Sequence, residues 1–231
     1  MSFYQQLCRD SARDRDTLLA VPLIRNALQG CIAREEYLAF LTQAYHHVRH
    51  TVPLLMGCGS RLPQRLGWLR KAIAHYIDEE IGHEEWIVSD IAACGADPDS
   101  VHRTGGLFET RLLVAYAYDV IDRGNPVGFL GMVHVLEGTS VSLALLAADQ
   151  IQKPLNLPDA AFSYLRSHGT LDREHTAHFE LLMDQIEDPR DQADIVHAAR
   201  AFYRLYGDVF RGLPLPQVPA EAMPERAGAL A

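Results

Sequence analysis

At 231 residues with a formal charge of −9 and interspersed acids and bases, the chain can bury one sizeable core, and it has no basic face for nucleic acid or an anionic membrane. The opening MSFYQQLCRDSARDRD does not have the basic-then-apolar layout of a secretory leader. No apolar run is read as approaching the roughly 20 residues that span a bilayer, so a cytoplasmic location is expected. Cys8, Cys31, Cys58 and Cys94 are dispersed without a CxxC pair and are expected to be small, reduced core residues, neither disulfides nor zinc ligands.

Helical periodicity dominates and strand alternation is nearly absent, which predicts an all-α chain. Helical segments are expected near 3–30 with a break at AVPL, then 34–61, 63–95, 105–123, 126–150, 158–186 and 189–212. Pro63, Pro126, Pro158 and Pro189 stand at or near four of these starts, where a missing N–H is harmless. Residues 1–213 are expected to form a single helical domain and 214–231 a Pro/Ala-rich tail.

Within 63–95, Leu69, Ile73 and Ile77 set an apolar stripe that resumes at Ile87 and Ile91, and the positions between include Glu80 and either His83 or Glu84. Three apart, Glu80 and His83 can reach one metal centre from one helix. Within 126–150 the stripe Leu130, Val133, 137, Val141, Leu145 contains one intruder, Glu137. Within 158–186 the stripe runs Phe162, Leu165, His168, Asp172, His175, Phe179, Leu182, Ile186, all on one face. Three helices thus place acid or imidazole where their own pattern calls for a hydrophobe. Burying such groups without partners costs several kcal/mol, and a cation satisfies them together.

The set is Glu80, His83, Glu137, His168, Asp172 and His175. Three carboxylates and three neutral imidazoles bring a charge of about −3 against +4 for two ferrous ions, leaving about +1 for an anionic substrate to offset. Six donors suit two metals better than one. Mixed imidazole and carboxylate ligation favours iron, with manganese as the alternative, over zinc or calcium. Gly82, Gly138 and Gly169 each adjoin a proposed ligand. Because glycine inside a helix costs about 1 kcal/mol against alanine, close helix approach or a local bulge at these points is expected.

The motif HGTLDREH, preceded by VLEGTS and by EEIGHEEW, resembles the haem-oxygenase-like diiron oxidases and oxygenases, the iron-containing redox enzymes of the TenA/PqqC-like superfamily. The likeness covers about residues 35 to 205. The E-x2-H spacing of Glu80 and His83 is similar to that of the family's 1-alkene-forming fatty-acid decarboxylase, whereas the E-x6-H spacing of many members fails because Tyr76 stands seven residues before His83. The resemblance implies a seven-helix haem-oxygenase-like bundle, a labile diiron centre held by the six residues, dioxygen as co-substrate, a reductant and a homodimer. It further implies a small, fatty or amino acid as substrate, oxidised, fragmented or oxygenated. From position alone, Tyr45 and His46, with Tyr116 and Tyr118, are expected to line the substrate pocket. His75, His102, His134, His178 and His197 are expected to be ordinary surface or core histidines. The alternatives are a cofactorless TenA/PqqC-like hydrolase or oxidase and a non-enzymatic metal-binding partner protein. A haem-binding reading lacks a histidine before His46.

Overall fold

Helix starts follow the proline and capping signals of the sequence. The computed structural model describes residues 1–213 and every side chain among them except those of 168–176. Helix α1 (Phe3–Leu19) opens on a reciprocal capping box between Ser2 and Gln5, and α2 (Pro22–Leu28) opens on Pro22, so the break expected at AVPL is present. Next come α3 (Arg34–Val48), α4 (Thr51–Arg61), a 3-10 turn after Pro63, α5 (Leu69–Glu80), α6 (His83–Ala93), the short α7 (Ser100–Arg103) and α8 (Phe108–Asp122). A 3-10 turn begun by Pro126 leads into α9 (Leu130–Leu155), and another after Pro158 leads into α10 (Ser163–Asp184). Helix α11 (Pro189–Gly212) begins on Pro189, with Asp188 Oδ1 accepting from the Arg190 N–H at 2.9 Å.

The all-α expectation holds, with no strand among the described residues. The seven expected segments become eleven α-helices there, because 3–30 divides at the AVPL break, 34–61 turns at Arg49 and His50, 63–95 breaks at Ile81 and Gly82, and the short α7 lies outside every expected segment. The tail 214–231 lies outside the described residues. Cys58 and Cys94 are core residues as expected, but Cys31 is exposed and Cys8 only half-buried.

Helix α9 is the hub. It packs against α10, α11 and α2, while α1 and α8 pack on α11 and α3 packs on α6. By length and composition Pro126–Leu155 could cross a membrane, contrary to the expectation that no run is apolar enough. Reading for uninterrupted apolar runs stops at His134 and Glu137, whereas the average over the helix does not. In the fold this stretch supplies core residues to two apolar clusters. One joins its N-terminal half to α1, α4, α5, α8 and α11 through residues such as Leu130, Met132 and Val135. The other joins its C-terminal half to α3, α6 and the start of α10 through Ala144, Ala148 and Ile151. Val141 and Leu145, expected on the buried stripe, are only half-buried. Successive steps of four residues advance about 40° each beyond a full turn, so the stripe drifts and the buried face passes to Ala144 and Ala148.

Two features fix how α9 sits. At Gly131 an added Cβ would lie 2.6 Å from Ala199 N and 2.7 Å from Ile195 O, both backbone atoms of α11. No side chain fits between the helices there, so Gly131→Ala is expected to lower stability by roughly 1–3 kcal/mol despite alanine's better helix propensity. A urea unfolding midpoint at or above wild type would contradict that.

His134 is the second feature. It faces Ser11 (Nε2 to Oγ, 3.5 Å), stacks near Phe179 (centroids 6.2 Å) and receives the edges of Tyr4 and Tyr203. Burial, with a smaller contribution from the Arg15 charge, pulls the imidazole down from 6.5 to about 4. As pH falls through the window between 6.5 and about 4 the unfolded chain takes up the proton first. His134 should therefore withdraw up to about 3 kcal/mol of stability by the lower end. Urea unfolding at neutral pH and near pH 5 should show a steeper acid loss for wild type than for His134→Gln; equal losses would refute the assignment.

Candidate metal centre

The expected ligand pair Glu80 and His83 is present but not on one helix. Helix α5 ends at Glu80, Ile81 is the cap with its side chain exposed, and Gly82 takes a left-handed φ of +89° before α6 starts at His83. The sharp turn folds the two side chains onto each other, so that His83 Nδ1 lies 3.0 Å from Glu80 Oε2. Both are buried, Glu80 at 9% and His83 at 3% exposure, whereas Glu84 is only half-buried, so the stripe's choice falls on His83. The His83 ring also stacks on Trp86 one turn later, with centroids 4.0 Å apart. A carboxylate on one ring nitrogen and an indole on its face hold the imidazole in a set orientation, as metal-binding histidines are held.

The glycines answer the question posed by the sequence, though only in part. Gly82 provides the positive φ of the turn, but a Cβ on it would meet nothing within 4 Å among the described residues, and the same is true of Gly138 beside Glu137. Of the two expected reasons, close helix approach or a local bulge, the left-handed break at Gly82 is nearer the second, and the intimate approach on α9 is at Gly131 instead. Gly169 lies outside the described side chains.

Glu80 and Glu137 share the wall of one cavity of about 170 Å³. The cavity lies at the seam of the two apolar clusters, with Leu54, Leu55 and Met132 from the first and Tyr37, Ala144 and Leu165 from the second. Its walls are mostly apolar. Besides Glu80, the polar exceptions from α3 and α5 include Glu36, His47 and Tyr76, none of which the sequence marks as a pocket residue. Glu36 Oε2 accepts the Ala33 N–H at 2.7 Å and so serves its own helix start. His47 meets the Tyr206 ring edge-on at 5.8 Å.

The residues expected to line the pocket do not do so. Tyr45 bonds through its hydroxyl to His102 Nδ1 at 3.0 Å, and His46 lies against Gly106 of the α7–α8 connection. Tyr116 packs on Phe202 of α11, and Tyr118 lies 3.2 Å from His50 Nδ1. The miss on α3 is one residue, since His47 and not His46 faces the cavity. Adjacent helix positions differ by about 100°, and HHVRH contains no local signal that chooses between them.

His168, Asp172 and His175 lie on α10, but their side chains are outside the described residues. The apolar positions that bracket them, Phe162, Leu165, Phe179, Leu182 and Ile186, are all buried, as their stripe requires. Helix α10 packs along α9 and α6, the helices of Glu137 and His83. One link between these elements was missed. Asp90, fully buried on α6, accepts the N–H groups of Ser163 and Tyr164 at 3.0 Å each, and also the Ser163 hydroxyl, capping α10 from a neighbouring helix. Burial pushes its carboxyl up while these donors push it back down. An acid on the stripe of Ile87 and Ile91 was the available signal.

Among the described residues no group of three or more His, Cys, Asp or Glu is arranged to hold an ion. The donor types of the described half of the expected set nevertheless fit iron, with two carboxylates lining one cavity and an imidazole bonded to one of them. None of the four cysteines lines the cavity, and burial pushes the Cys58 and Cys94 thiols up to about 12 and about 11, the opposite of an activated nucleophile.

The architecture is that of the haem-oxygenase-like proteins. A protein of that fold from Shewanella denitrificans OS217 superposes with a TM-score of 0.83 at 24% identity over 91% of each chain. A TenA homologue from Pseudomonas syringae pv. tomato gives 0.77 at 12% identity over 90% of this chain and 91% of that one. Haem oxygenase-1 from Synechocystis sp. PCC 6803, solved with haem, gives 0.71 at 10% identity over 91% of each. No curated protein sequence matches the chain significantly. Residues 38–207 match the model of the iron-containing redox enzymes, and the chain belongs to that family.

The two ligand-adjacent glycines should behave differently. Gly82→Ala forces a Cβ into the left-handed region and is expected to cost roughly 1–2 kcal/mol, while Gly138→Ala, in an open helical position, should be neutral or stabilising by up to about 1 kcal/mol. Thermal melts of the two variants side by side test this; equal shifts would remove the special role of the Gly82 turn.

Proposed function

We propose that the protein is a non-haem diiron oxidase or oxygenase that uses dioxygen to oxidise, fragment or oxygenate a carboxylic acid with an apolar body. The observation that carries this reading is the shared cavity: Glu80 and Glu137, from two separate helices, both line one otherwise largely apolar chamber, with His83 bonded to Glu80. Membership of the iron-containing redox enzymes supports it.

Glu80, His83 and Glu137, with His168, Asp172 and His175 of α10, would hold the metal. Iron, when bound, supplies dioxygen binding and one-electron steps that no side chain here provides. The protein's part is binding and orientation. Glu80 holds the imidazole of His83 at a fixed angle, the clustered carboxylates provide the negative charge that draws divalent cations, and the apolar walls keep bulk water from the reacting end of the acid. A two-electron oxidation supplies half the electrons dioxygen needs to reach water, so a separate reductant is required. The E-x2-H spacing favours a fatty acid over an amino acid, as does the scarcity of polar groups in the cavity. A thiol-based hydrolase is disfavoured because the cavity wall contains no cysteine.

Anaerobic titration of metal-free protein with Fe(II) should saturate at two irons per chain, and Glu137→Ala and His168→Ala should each drop the stoichiometry to one or fewer and abolish acid-dependent dioxygen uptake. Failure of the wild-type protein to bind Fe(II) would overturn the proposal.

A further inference from the structure

The cavity wall contributed by α9 carries one polar band. Glu137, Thr139 and Ser140 line it within one turn, with Met132, Val133 and Leu136 before them and Leu143, Ala144, Ala147 and Ile151 beyond them. The wall contributed by α2 is apolar throughout, from Leu23 to Leu28. Glu36, the acid on α3 that also lines the cavity, has an oxygen engaged by the Ala33 N–H and so offers a weaker alternative for a polar ligand.

Thr139 Oγ1 and Ser140 Oγ are shielded from water and have no hydrogen-bond partner among the described residues. A buried hydroxyl in that condition costs about 1–3 kcal/mol, which a ligand acceptor would recover. Both side chains can reach such an acceptor by moving between staggered wells about Cα–Cβ. Further along the helix, Ala144 and Ala147 are the small residues of the wall, roughly 10 Å and 15 Å from Glu137 by helical rise.

We propose that the acid lies along α9 with its polar end at Glu137, Thr139 and Ser140 and its apolar body over Ala144 and Ala147, and that these alanines set the longest chain accepted. This rests on the reading of the cavity as the site of an apolar-bodied acid. Thr139 and Ser140 are positioning residues, and Ala144 and Ala147 determine specificity. A bulky side chain at position 147 leaves room for short acids only, and one at position 144, a turn nearer the polar end, leaves less.

The test is calorimetric binding of hexanoate, decanoate and tetradecanoate to the full chain under anaerobic conditions, with and without Fe(II). Ala147→Phe should weaken tetradecanoate about tenfold or more while leaving hexanoate within about twofold, and Ala144→Phe should extend the loss to decanoate. Thr139→Val and Ser140→Ala should weaken all three acids by a similar factor, up to about tenfold each. Should the phenylalanine variants not fold, Ala144→Val and Ala147→Val must show the same order with smaller amplitude. Equal weakening at every chain length by the alanine replacements would overturn the proposal, as would a reversed order of the two positions or no acid binding by wild type in either state. The iron titration separates the two readings. Length-graded binding without iron binding would sink the diiron function and leave the acid subsite standing, while iron binding without acid binding would sink the subsite alone.

Discussion

The buried carboxylate of Asp90 decides the geometry on which everything else depends. It sits two turns beyond His83 on α6 and accepts from the first free N–H groups of α10, so the helix that holds one expected ligand also fixes the start of the helix that holds three more. A helix N-terminus favours a negative charge, and the unpaired N–H groups there need acceptors in any case. The interaction is therefore stabilising for both partners, and it sets the position of α10 relative to α6 more sharply than apolar packing alone would.

Helix α9 packs in two ways along its length. Near Gly131 it comes so close to α11 that no side chain fits between them. One to two turns later Glu137 lines the cavity that lies between the two apolar clusters. A packed interior tolerates few voids, because each one forfeits dispersion contacts around its lining. Held open by a hub helix and bordered by two acids, this void is the part of the fold most easily understood as shaped by a ligand.

Buried charge is costly, so acid or imidazole on an apolar stripe stands out in any helix, and that rule picks out Glu80 and Glu137, which line the cavity, and the buried His83. The same rule applied once more would have found Asp90. It could not find His47, Tyr76, Thr139 or Ser140, which are amphipathic or small and break no pattern. Nor could it tell His46 from His47, since one step around a helix separates a cavity wall from a packing contact and only the neighbouring helices distinguish them. The cost of glycine in a helix marks a position without giving its reason: Gly82 serves backbone conformation and Gly131 close approach, and no local rule separates those two uses.

What the sequence by itself determined is the helical content, most of the helix starts at prolines and caps, and the presence of metal-type donors on three otherwise apolar faces. These are properties of neighbouring residues, governed by periodicity, missing N–H groups and the free energy of burying charge. Only the tertiary structure decided that Glu80 and His83 are brought together by a break and not by a shared helix, that α6 caps α10, and that the α9 wall is polar at one level and apolar beyond it. Those outcomes depend on how each helix is rotated and where it crosses its partners, and residues distant in sequence set both.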